Sequence, residues 1–196
     1  RIKNNSVYGE LIRTADYPRR QMEGETASER FFNVCNDFYI TNFSVGRTSQ
    51  IKDLLSKIRL IKDLSLNGET MQTFLTIING KSKVLDCLSL IRQIHNHHYE
   101  LPDSYDWIFS KEWSESATAS SDIIAKELVL KDGLSIDEAK RITKKNLWLF
   151  IMNRLRKDYR DKYIKESFSS IGSPKNLIKK FKFNLGKKIP IIKSAY

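Results

Sequence analysis

Residues 39–47 read YITNFSVGR, and whether they form a strand or a loop decides the class of fold. Ile40, Asn42 and Ser44 alternate with Thr41, Phe43 and Val45, and a period of two marks a strand. SVYGELI, at 6–12, adds a second short strand. The segments around both carry helical spacing, so the chain reads as α/β and helix-rich.

Upstream of the stretch, RTADYPRRQMEGE has no period and reads as a polar loop, whereas ASERFFNVCNDF at 27–38 places Phe31, Phe32, Val34, Cys35 and Phe38 as a short buried helix would. Downstream, TSQIKDLLSKIRLIKDL at 48–64 offers Thr48 as N-cap and a stripe of Ile51, Leu54, Leu55, Ile58 and Ile61. NGETMQTFLTIINGK predicts a helix opened by Asn67 or Gly68 and stopped by Gly80. SKVLDCLSLIRQI at 82–94 fits strand and helix equally, and YELPDSYDWIFSKEW reads as a loop with buried aromatic anchors. A helix over 114–132 ends at Gly133, and Ser135 with Glu138 then has capping-box spacing and opens a long helix toward Tyr163. SFSSIGSP, at 167–174, is a linker of small residues. The expected organisation is a mixed domain over 1–110, a helical extension over 111–166, and a linker with basic tail over 167–196. There are too few strands for a self-contained doubly wound sheet.

A chain of 196 residues with 40% hydrophobic content supports one domain with a sizeable core. It begins at Arg1, which is expected of a fragment of something longer. Cys35 and Cys87 lack CxxC spacing, which argues against a disulfide framework or thiolate metal site and fits a reduced, cytoplasmic compartment. LWLFIM, at 147–152, is among the most apolar runs and is far too short to span a bilayer. The net charge of +11 is unevenly placed. Residues 1–138 hold 17 Lys and Arg against 20 Asp and Glu, a net of −3, while residues 139–196 hold 17 against 3, a net of +14. Such asymmetry marks a surface for phosphates, of nucleic acid or of anionic lipid, on an otherwise balanced domain.

The three histidines, His95, His97 and His98, fall within four residues. A zinc site needs three or four ligands, and no further partner is evident by spacing, so a solvated polar turn is the simpler reading of the cluster. His95 differs from the other two in closing the apolar run that contains Arg92. Glu69 follows a glycine at an expected helix start, where the dipole favours a carboxylate, although most such glutamates only cap. Arg92 and Arg47 sit among apolar neighbours and must snorkel or pair with an anion. Trp107 and Trp113, with Tyr99 and Tyr105, have the chemistry to stack on a sugar or base, but aromatic residues in such a loop more often anchor it. GxGxxG, GxxxxGK[ST], HExxH, GxSxG, CxxC and Asp-x-Asp are all absent, which sets aside the nucleotide folds, zincins and serine hydrolases that carry them.

Taken in order, ASERFFNVCNDFYITNFSVGRTSQIKDL, NGET, NGKSKVLDCLSLIRQIH and YELPDSYDWI resemble the C-terminal, acceptor-side half of bacterial GT-A-like glycosyltransferases of surface polysaccharide synthesis, over residues 6–130. The resemblance implies a partial GT-A-like domain, a nucleotide-sugar donor and a glycan or lipid-linked acceptor. It also implies a divalent metal, Mg or Mn, in the full-length protein only, since the Asp-x-Asp half would precede Arg1. Glu69 then stands where an inverting enzyme's general base is expected. Arg92 and His95 fall in the donor diphosphate or metal region, with Arg47, Asp106 and Trp107 as acceptor or loop candidates. Polymer-building enzymes of this kind work at the inner membrane face, where Lys179, Lys180, Lys182, Lys187 and Lys188 would meet anionic lipid.

Two other readings come from the residues alone. The helix at 135–165 and the lysine-rich tail suit a basic helical nucleic-acid-binding module without catalysis, with no need of Glu69 or His95. A helical interaction protein would be marked by an exposed apolar stripe.

Overall fold

The computed structural model describes residues 2–3, 10–11, 20–85, 93–94 and 102–164. Over 20–85 and 102–164 the chain is 72% helical and holds no strand, which overturns the expected α/β, GT-A-like class. Among the described residues, the paired strands are β1 (Ile2–Lys3), β2 (Glu10–Leu11) and β3 (Gln93–Ile94), two residues each in the order β2-β1-β3, with β1 antiparallel to β2 and parallel to β3, and one isolated antiparallel bridge joins Met22 to Ser82. Pieces of that length cannot form the layer against which an α/β half-domain packs.

The decisive stretch 39–47 is a turn. Thr41 is buried, and its N–H donates to Thr73 Oγ1 at 3.2 Å, while Ser44 N donates to the Thr41 carbonyl at 2.9 Å. Phe43 and Val45, expected on the same side as Thr41, are exposed, Val45 completely. The alternation had no neighbouring strand to pair with, and a side chain of the central helix satisfies the backbone instead.

Two compact units divide the chain, Arg1–Asn153 and Arg154–Tyr196. In the first, α3 (Met71–Asn79) is the hub, packed by α1 (Ala27–Asn36), α2 (Thr48–Ile58) and α5 (Lys111–Asp132). Its Met71, Thr73, Phe74, Leu75, Ile77 and Ile78 are all buried, and a helix apolar on nearly every side belongs in the middle of a bundle. Phe74 meets Phe31, Phe38 and Phe150 edge-on at centroid distances of 5.2, 5.9 and 5.2 Å. The chain enters α3 through a π-helical turn, Leu66–Thr70, preceded by helical residues from Leu64. The cap is therefore Asp63, whose Oδ1 accepts from Leu66 N at 2.7 Å, rather than Asn67 or Gly68.

Side chains close the helix ends. All four leading N–H groups of α1 have acceptors: Ala27 and Ser28 donate to Asp132 at 2.7 and 2.8 Å, Glu29 to Thr26 Oγ1, and Arg30 to the Thr26 carbonyl. Asp132, at the end of α5, also accepts from the Ser28 hydroxyl at 2.6 Å. Burial works to raise its carboxyl, but the Ser28 hydroxyl, the Ala27 and Ser28 N–H groups and the Arg30 charge together hold it below the usual value. At the other end of α3, the buried Arg30 donates from Nε to the Ile77 carbonyl at 2.9 Å and from Nη2 to that of Ile78 at 2.8 Å. Its Nη1 reaches the Gly24 and Glu25 carbonyls.

The 99–113 segment contains a short helix, α4 (Ser104–Ile108), and Trp107 is the expected buried anchor, while Tyr105 is partly exposed. Gly133 has the left-handed φ of 68° predicted for the stop of α5, and Ser135 Oγ accepts from Glu138 N at 3.2 Å to start α6 (Ile136–Tyr159). In the second unit, α6 ends and a π-helical turn, Arg160–Ile164, follows. No helix among the described residues is long and apolar enough to cross a membrane.

Candidate functional site

Glu69 lies within the π-helical turn, exposed, six residues past the Asp63 cap. The helix dipole does little for its carboxylate, because the effect fades within the first turn of a helix that begins at Leu64. Arg47 occupies the N-cap position of α2, exposed and making no capping bond, and Asp106 is exposed in the first turn of α4. No hydrogen bond or ion pair among the described residues joins Glu69, Arg47 and Asp106. Trp107 is 2% exposed, donates its indole N–H to Asp63 Oδ2 at 2.8 Å, and lies 4.5 Å from the Trp113 ring. Neither face of its ring is open to a ligand. Arg92, the three histidines, Cys87 and the lysines at 179, 180, 182, 187 and 188 lie outside the described residues. Cys35 is buried in α1, and burial pushes its thiol well above the usual value, so it offers no thiolate. Among the described residues no three of His, Cys, Asp and Glu are placed to hold a metal.

The described chemistry is concentrated on α6, and the sequence KRITKKNLWLFIM explains how. Ala139, Thr143, Asn146 and Phe150 recur at three-and-four spacing and are buried. Phe150 packs between Phe38 and Phe74 at 5.0 and 5.2 Å, and Asn153 Nδ2 donates to the Asn36 carbonyl at 3.0 Å. That seam fixes the rotation of the helix about its axis. Lys140, Arg141, Lys144, Lys145, Trp148 and Met152 therefore face outward, and all six are exposed. At 100° per residue they span an arc of about 140°, with Trp148 near its middle.

This face is strongly positive. Residues 139–153 contain four bases and no acid. Arg141 has only a loose partner, Glu138 at 3.8 Å across an exposed gap, and no carboxylate among the described residues pairs with Lys140, Lys144 or Lys145. The half-buried Lys57 is different: it is held between Asp53 at 2.6 Å and the buried Glu127 at 2.7 Å. Burial would lower its ammonium, but those two carboxylates, by hydrogen bond and charge, raise it. Trp148 is 56% exposed, in contrast to the enclosed Trp107.

The charge division at residue 139 points to this segment from sequence. Trp148 is harder to find, because LWLFIM reads as one apolar run until Phe150 and Ile151 are seen inside and Trp148 and Met152 outside. No family model, curated protein or solved structure matches the chain.

Proposed function

We propose that this protein is a non-enzymatic nucleic-acid-binding module whose phosphate-binding surface is the outer face of α6. The supporting observation is the set Lys140, Arg141, Lys144 and Lys145 on two consecutive turns, with no acid between residues 139 and 153; Asp137 and Glu138 stand at the helix start, Glu138 3.8 Å from Arg141. Successive phosphates of a nucleic acid present closely spaced negative charge, and lysines held in place by a packed helix release counterions on meeting it. An anionic membrane is the competing partner. A helix that lies in a bilayer surface buries a continuous apolar face. The apolar side of α6 is already occupied by the protein's own core, which leaves Trp148 and Met152 on the face considered. No described side chain favours sugar transfer.

The test is a titration of the full chain with labelled RNA at several salt concentrations, beside vesicles containing phosphatidylserine. Each phosphate contact contributes about 0.7 to the slope of log K against log salt for a single strand, so K144E/K145E should reduce the slope by about 1.4 and weaken binding to every sequence alike. An unchanged slope, or binding to vesicles alone, would refute the proposal.

A further inference from the structure

Resting on that reading, we infer that Trp148 is a base-stacking platform that makes the α6 face select single-stranded over double-stranded nucleic acid. Trp148 lies one turn beyond Lys144 and Lys145 and two beyond Arg141, so the ring and the bases share one side of the helix, about 6 and 11 Å apart along the axis. An exposed indole has two flat apolar faces and one donor. It is costly in water and has no aromatic partner among the described residues, whereas Trp107 and Trp113 lie against each other. In a duplex the base faces are stacked on one another, and only their edges reach the grooves. An unpaired base can turn its face to the ring while its phosphate stays beside the lysines, which is the arrangement of single-strand-binding grooves. The phosphates thus supply attraction to either form, and the ring adds affinity for one of them only. Because every base has a π-face, the selection is for strandedness rather than sequence.

The experiment measures binding of an oligouridine strand and an RNA duplex of matched length to the full chain, its W148A and W148F variants, and K144E/K145E. W148A should weaken oligouridine binding about tenfold or more, leave duplex binding within about twofold, and leave the salt slope of both unchanged. W148F should recover most of the loss, and strand binding should quench the emission of Trp148. At 56% exposure the substitution removes little packing, and unchanged helicity by circular dichroism checks that. Equal losses for strand and duplex, or no preference in the wild type, would overturn the role of Trp148 while leaving phosphate binding intact. Absence of binding to both nucleic acids would overturn both readings.

Discussion

Replacing Arg30 with Met keeps the apolar stem and removes five donors from a side chain that is only 7% exposed. The Ile77 and Ile78 carbonyls belong to the last turn of α3 and have no partner within that helix. In the native chain they accept from Arg30 Nε and Nη2 at 2.9 and 2.8 Å. Leaving a buried acceptor unpaired costs about 1–3 kcal/mol, so two of them, with the loss of a positive charge at the helix end, amount to about 4 kcal/mol. That is a large part of the 5–15 kcal/mol typical of a folded domain. Arg30→Lys retains the charge but not the fork of donors, and should lose about half as much. Urea titration followed by tryptophan emission and by helicity gives both values. If Arg30→Met shifts stability by less than about 1 kcal/mol, or Arg30→Lys matches the wild type, the two carbonyls are hydrated and the clamp does not hold α1 to α3.

The Asp132 cap has a pH signature. Its carboxyl is held below the ordinary aspartate value of about 3.9, so its contribution is present above that pH and is lost as pH falls through the lower, folded-state value. Asp132→Asn should cost about 1 kcal/mol near neutrality, and the gap to the wild type should close in unfolding curves taken below about pH 4; a gap independent of pH would dismiss the charged cap. K144E/K145E should leave the unfolding midpoint almost unchanged, within about 0.5 kcal/mol, because both side chains are exposed and make no ion pair among the described residues; a large fall in thermal midpoint would give those lysines a structural role.

The helix signals that proved readable were those in which a local bond fixes the end. Gly133 stops α5 through its own backbone conformation, and Ser135 caps Glu138, each within three or four residues along the chain. Signals that depended on distant partners misled. Alternation at 39–47 matches a strand, but Thr41 reaches 32 residues onward to Thr73 and closes a turn. The NGET segment has the composition of a helix start, yet Asp63, fixed by Trp107 from 44 residues away, starts the helix earlier and carries it through Gly68 as a π-helical turn. With those two segments reassigned, the α/β class has no strand layer among the described residues and Glu69 no helix N-terminus. The same limit applies to the site. The bases of α6 are visible as charge, but which of Leu147, Trp148, Leu149, Phe150, Ile151 and Met152 face outward depends on how Phe38, Phe74 and Asn36 receive the helix.

Ultraviolet crosslinking of a bound RNA strand to the full chain, followed by trypsin and mass spectrometry, tests the location of binding most directly. Cleavage after Lys145 and Arg154 isolates residues 146–154, which contain Trp148. The α6 reading predicts a nucleotide adduct on that peptide, lost in W148A. A strand that binds with full affinity while residues 146–154 stay unmodified and other helices carry the adduct would contradict it.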